Sequence, residues 1–392
     1  MLNLKKTNNK DEIKRSIQAR GKDLDVDLLF DLYDQYKNAL KATEDNNQLI
    51  NKAAENRDIP LGKELKIQSE ILYNQLSLIE SRYKEYLLLF PNIVHHSVPI
   101  GKDESENIII KQEGDIIFHK HHYDMGITHE CVNFTGSRFV LLKAEFASLE
   151  RGLLNFMMDH LLENGFTEYS IPYIMNSNGF LGSGHLPKDQ DNMFKVEEDQ
   201  YLIPTGEAVL VNLARNKKFN TLPMKVATVS DCFRKEAGSA GKDTKGLIRV
   251  HQFKKCEMVC FTEPDQSYEM LEEMLDISVN LIKKLNIPYC IESICSGDMG
   301  AVSAKQYDIK VPIGNEMREI ASISNCEDFQ SINLSAKNSK NEFIHMLNGS
   351  AVAAGRLLAT LLEVHYDPNT RMVILPDVLK KYVPFQKILI ST

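Results

Sequence analysis

Residues 231–257 concentrate side chains able to do chemistry. Arg234, Lys235, Glu236, Arg249, His251, Lys255 and Glu257 fall here, with Phe233 and Phe253 between them and glycines at 238, 241 and 246. Residues 224–233 and 247–261 have the composition of strands and the middle that of a long loop, which predicts a hairpin. Side chains two apart on a strand share a face. Arg249, His251, Phe253, Lys255 and Glu257 are then expected side by side. A cation, an aromatic plate and a carboxylate suit a phosphate, a flat base and an ammonium or hydroxyl. Spacing alone also allows a solvent face of alternating charge.

The second candidate is Asn348-Gly349-Ser350, running through small residues to Arg356 and then Leu357, Leu358, Leu361 and Leu362. That pattern predicts a buried helix entered from a tight turn, with Arg356 its only charge before Glu363. Burying a lone guanidinium is expensive unless it meets an anion. A phosphate would serve; so would pairing with Glu319 or Glu363. No P-loop, dinucleotide fingerprint or nucleophile elbow accompanies these stretches. His119, His121 and His122 have no cysteine pair or zincin-spaced glutamate near them and read as a solvated loop. The seven scattered cysteines read as reduced structural thiols.

The elements that must position these residues occupy 392 residues with a net charge of −8, too acidic for a protein living wholly on a nucleic-acid backbone. No apolar run approaches the ~18–20 residues of a membrane helix, and the N-terminus lacks the features of a signal or transit peptide. A cytoplasmic protein with no membrane or DNA partner is expected. Residues 27–90 hold one Gly and one Pro. Leu29, Tyr36, Thr43 and Ile50 fall seven apart, with Leu32, Ala39, Asn46 and Ala53 three after each: an a/d seam. Leu65, Leu72, Ile79 and Tyr86 repeat the period. Two antiparallel helices of ~25 residues joined near residues 57–63 are expected, an arm of roughly 35–40 Å. Residues 139–163 predict a long helix. Irregularly spaced strands and helices beyond it predict an antiparallel sheet with flanking helices, an α+β domain.

Cys232-Phe233-Arg234-x-Glu236-Ala237-Gly238-Ser239-Ala240-Gly241 with Gly246-Leu247-Ile248-Arg249-Val250-His251-Gln252-Phe253 resembles motif 2 (about 224–261) of seryl-tRNA synthetases, a class II aminoacyl-tRNA synthetase family. Asn348-Gly349-Ser350 through Arg356 resembles motif 3 (about 348–366). Gly136-Ser137-Arg138-Phe139 with Leu149-Glu150 and Pro172 resembles motif 1 (about 136–173), and residues 201–207 the serine-binding loop. The resemblance covers nearly the whole chain. It implies a tRNA-binding domain over 1–100 with a coiled-coil arm, and a catalytic domain over 101–392. It further implies a homodimer that activates L-serine with ATP and Mg²⁺ and passes it to serine tRNA. Arg234 and Arg356 would be catalytic, on the α- and γ-phosphates. Lys235, Glu236, Arg249, Val250, Phe253, Glu319, Ile320, Ala321 and Ser322 would join them around ATP, with Glu319 and Ser322 holding the metal. Thr205, Glu207, Arg234, Glu257 and Ser350 would bind serine.

Three features depart from the family pattern. Residues 27–90 carry a net charge of −3, where the family's arm is usually basic. Ser331-Ile332-Asn333 stands where a pair of arginines is usual, and Ala351 where glycine often follows Asn-Gly-Ser. A ligase that loads carrier proteins would lack the arm and use a zinc-binding site; a non-catalytic paralogue would not need Arg234, Phe253, Glu257 and Arg356.

Overall fold

The computed structural model describes residues 1–4, 9–127, 131–237, 243 and 245–390. The Gly238–Gly241 part of the motif 2 stretch lies outside them. The chain divides into two compact units, Met1–Ile93 and Val94–Thr392.

In the first unit, helix α1 (Val26–Glu55) and helix α2 (Ile59–Leu87) form an antiparallel hairpin. Each seam position of α1 is buried or half-buried. Its polar members are satisfied: Thr43 Oγ1 donates to the Ala39 carbonyl at 2.9 Å, and Asn46 Nδ2 to the Leu65 carbonyl at 3.1 Å. The turn is shorter than the expected 57–63. Pro60 and Gly62 lie inside the first turn of α2, where the missing proline N–H has no helical partner to lose. The helices are therefore 30 and 29 residues long, about 45 Å.

The second unit is built on eight strands: β1 (Ile108–Glu113), β2 (Thr167–Glu168), β3 (Met224–Phe233), β4 (Gln252–Thr262), β5 (Tyr289–Ser293), β6 (Lys305–Ile313), β7 (Glu316–Asn325) and β8 (His345–Ala353). They lie in the order β1-β5-β6-β7-β8-β4-β3-β2. Only β2 runs parallel to its neighbour. The fold is α+β. Helices α3 (Ala144–Glu163), α4 (Ser267–Lys284) and α5 (Ala354–Val364) cover one face, where Leu153, Met157, Leu271, Leu357 and Leu361 join Cys256, Met258 and Ile323 in the core. Helix α3 starts at Ala144, not at 139; Arg138 takes φ +62° and its carbonyl instead receives the His251 N–H at 2.9 Å.

Two further expectations change. β4 begins at Gln252, so 247–251 is a turn and His251 leaves the expected face; its Nδ1 meets the Arg234 carbonyl at 3.0 Å. His122 is not solvated but fully buried, held by Glu363. All seven cysteines are unpaired and buried. Among the described residues, no helix is long and apolar enough to cross a membrane.

Candidate active site

The face of the sheet opposite the helices collects the polar residues. Phe253, Lys255 and Glu257 alternate onto it along β4. Register places Ser350 opposite Glu257 and Ala353 opposite Lys255. Ser324 lies opposite Asn348, and Asp308 opposite Ser322. Two bulges adjust the parity. The β8 register shifts between Ser350 and Val352, leaving Ala351 as the extra residue. Ser350 and Ala353 therefore share a face although three apart. Likewise Ile309 pairs with Ala321 and Lys310 with Glu319, so Ile320 is extra and Glu319 and Ser322 turn the same way.

One pocket opens between the β3–β4 connection and the start of α5. Arg234 donates through Nε to the Pro204 carbonyl at 3.1 Å, with its guanidinium 5.2 Å from the Phe253 ring centroid. Across the pocket, Arg356 Nη1 lies 3.5 Å from Glu319 Oε2, and its Nε donates to the Ile248 carbonyl at 3.3 Å. Arg249 sits between Glu236 (3.3 Å) and Asp243 (3.2 Å), and Val250 and Ile320 complete the walls. Desolvation works against the Glu319 carboxylate, but Arg356, Arg234 and Lys255 hold it below the usual range. Its side chain keeps 46% of its surface accessible, so it can still meet a ligand. Lys235 is exposed and Ala321 is buried in the core; neither lines this pocket.

A second group lies deeper on the same face. Glu257 is 1% exposed, ion-paired with Lys255, and accepts from Ser350 Oγ at 3.3 Å. Buried Thr205 accepts the Glu207 N–H at 3.2 Å. Glu207 accepts from Gln330 Nε2 at 3.0 Å; burial, aided by the charge of Glu257, pushes its carboxyl upward. Sequence reasoning missed Gln330, whose signal was only its place after Asp328-Phe329. It missed Asp308 as well, raised to about 7 by burial and by the charge of Glu319. Face parity explains that neighbour: Asp308, Glu319 and Ser322 all point one way.

The tRNA synthetase class II core domain (G, H, P, S and T) matches residues 193–365. The serine–tRNA ligase of Hydrogenobaculum sp. is 38% identical over 391 residues, covering 91% of this chain and 92% of that protein. That of Clostridium tetani is 38% identical, covering 98% of each. The chain belongs to the serine–tRNA ligase family. The crystal structure of seryl-tRNA synthetase from Pyrococcus horikoshii matches with a TM-score of 0.88 at 31% identity, over the full length of both chains.

Within that family the departures acquire local explanations. Ala351 occupies the β8 bulge with no positive φ, so the backbone there does not require glycine. Ser331 Oγ caps back to the Asp328 carbonyl at 3.0 Å, and Asn333 Nδ2 donates to Leu181 O at 3.1 Å. Arg215 reaches the same segment through Asn178 O at 2.8 Å. Helix Ser177–Ser183 thus has polar ties without the arginine pair.

Proposed function

We propose that this chain activates L-serine with ATP, releasing pyrophosphate, and transfers the seryl group to the terminal ribose of serine tRNA. The observation that carries the reading is a single sheet face that joins a two-arginine pocket to the buried Glu257–Ser350 pair, with half-buried Glu207 beside it. ATP lies with its base against Phe253, its edge near Glu236 and the Val250 backbone, and its phosphates between Arg234 and Arg356. Arg249 braces Glu236; Lys235, exposed and outside the pocket lining, would turn inward to meet the phosphates when ATP binds. Family membership supports this placement, and the Pyrococcus horikoshii relative was crystallised with ATP. Serine lies deeper: Glu207 and Thr205 face its ammonium, and Glu257 and Ser350 its hydroxyl. Alanine would leave those buried polar groups unpaired, a penalty able to reject it by factors of roughly 10⁴ or more.

The serine carboxylate is itself the nucleophile, so no general base is required. One of its oxygens bonds to the α-phosphorus while the bond to the bridging oxygen breaks and pyrophosphate leaves with that electron pair. Arg234 faces the oxygens on which charge grows. The rest is positioning. The oxygen donors Glu319 and Ser322, turned to one face beside the buried Asp308 carboxyl, fit a hard divalent cation such as Mg²⁺. Bound there, Mg²⁺ would neutralise phosphate charge; Ile320 and Ala321 supply the backbone between its two ligands.

The hairpin α1–α2 serves tRNA within a homodimer, with residues 1–100 as the tRNA-binding domain and 101–392 as the catalytic one. Residues 136–173 supply the self-complementary patch that a C2 pair needs. Light scattering at micromolar concentration should show twice the 44.6 kDa chain mass. The test of function is serine-dependent ATP–pyrophosphate exchange followed by charging of serine tRNA. Exchange with no dependence on serine would overturn the substrate; exchange without charging would overturn the transfer.

A further inference from the structure

His122 stands outside the two groups above, yet no part of it reaches solvent. Its Nδ1 lies 2.6 Å from Glu363 Oε1, and its backbone N–H donates to the same oxygen at 3.0 Å. Glu363 Oε2 accepts the Gly314 N–H. On the other side of the ring, the Leu247 N–H donates to Nε2 at 3.0 Å. An amide N–H only donates, so Nε2 must carry the lone pair and Nδ1 the proton. The imidazole is a neutral spacer fixed between a carboxylate and a backbone amide. Burial alone would raise the Glu363 carboxyl; the hydrogen bonds from His122 and Gly314 prevail and hold it below the usual range.

We propose that His122 and Glu363 are positioning residues for ATP binding: they hold the turn at residues 246–248 against the helix that carries Arg356. Leu247 and Ile248 are walls of the nucleotide pocket. Arg356 and Glu363 sit seven residues apart on α5, hence on one face of that helix. The turn is tied to that face twice. Ile248 O receives Arg356 Nε at the pocket end, and Leu247 N–H reaches Glu363 through His122 at the far end. Gly246 takes φ +72°, and a Cβ there would overlap His122 Nε2, so the turn rests directly on the ring. Loss of the ring frees the turn, and with it the carbonyl that aims Arg356.

The proposal rests on the ATP reading of the pocket, and the test separates the two. Serine-dependent pyrophosphate exchange by the unmodified protein decides that reading on its own. Given exchange, His122→Ala should raise KM for ATP about tenfold, what losing a buried hydrogen bond is worth, and leave KM for serine within about twofold. His122→Gln, whose side-chain carbonyl can accept the Leu247 N–H, should recover most of the loss. In Glu363→Gln the amide sets a donor against either His122 or Gly314, so KM for ATP should again rise alone. A purely structural role would lower Tm and the active fraction, hence kcat, without splitting the two KM values. Equal rises in both, unchanged KM for ATP in a folded variant, or His122→Gln no better than His122→Ala would overturn the proposal. Should His122→Ala not fold, Glu363→Gln alone decides it by the same criterion.

Discussion

Along the helical arm, ion pairs leave their side chains in water: Lys37 and Asp34 keep 53% and 60% of their surface, Lys84 and Glu80 55% and 34%. On the sheet, Lys255 and Glu257 keep 11% and 2%. Exposed pairs of the first kind contribute little and fade with salt. Breaking a buried pair leaves an uncompensated charge and costs about 3–5 kcal/mol. The arm holds its shape through an apolar seam with a few internal hydrogen bonds, and its surface charge can drift freely. The sheet face is far less free, because Lys255 and Glu257, Arg356 and Glu319, and Lys310 and Glu292 are each other's partners. This accounts for an arm at net −3 in a chain whose motif 2 and motif 3 stretches keep the charged residues of the family pattern.

The strongest way to break this comparison is in the pocket. Arg234→Ala should reduce serine-dependent exchange by at least about a thousandfold, with the circular dichroism spectrum unchanged. Near-normal exchange in folded protein would remove Arg234 from the phosphates. Glu257→Ala should do double damage, losing serine affinity by about a hundredfold or more and lowering Tm, since Lys255 is left buried without its partner. A change in KM for serine with no change in Tm would show that the ion pair carries no structural weight.

Deleting residues 43–65 and closing the helices with a short turn sharpens the contrast from the other side. No pocket residue lies there, so exchange should stay within about twofold, while charging of serine tRNA should fall about a hundredfold, as losing a binding element worth a few kcal/mol would require. Unchanged charging would sink the arm as a tRNA element. Loss of exchange in a folded protein would join the two units into one function.

The difference between the regions also sets what could be read in advance. The seam was legible because a heptad repeats; the turn was misplaced because Pro60 signals a break, yet is tolerated at the start of a helix. The candidate-site stretches were legible as dense residue types in a family order. The bulges at Ile320 and Ala351 carry no period, and one extra residue in a pairing reverses every face beyond it. Reading Arg249 through Glu257 as one strand face held for Phe253, Lys255 and Glu257 and failed at its start, because the strand begins only at Gln252. His122 and Glu363 are 241 positions apart, and only the closed topology brings them together. A histidine in a polar run gives no hint of that burial.

A smaller effect concerns Glu207. Its folded-state pKa is raised by burial, so the folded protein favours the protonated form more than the unfolded chain does. The stability this contributes is present below the unfolded carboxylate range and is lost as pH rises through the folded value; at pH 8 the ionised, desolvated carboxylate opposes folding. Glu207→Gln, which can keep the contact with Gln330, should therefore raise Tm by roughly 1–3 °C at pH 8, with no gain near pH 4. A lower Tm at pH 8 would mean that the charge is compensated in the folded state.

The smallest effect expected is at Lys37. Its ammonium is already engaged, 2.7 Å from Asp34 and 4.8 Å from the Tyr33 ring centroid. The pair is i,i+3 on a helix surface with both side chains in water, so Lys37→Ala should leave Tm almost unchanged. Its consequence for tRNA follows from the same occupancy. Each cation that neutralises a phosphate adds roughly 0.7–0.9 to the slope of log K against log salt. A lysine committed to Asp34 and Tyr33 should add nothing, so the slope for serine tRNA measured between 50 and 200 mM salt, the range over which phosphate contacts are usually read, should be the same in Lys37→Ala as in the unmodified protein. A drop of about 0.7 or more would show that Lys37 leaves its partners for the nucleic acid, and that the arm reads phosphate charge as well as shape.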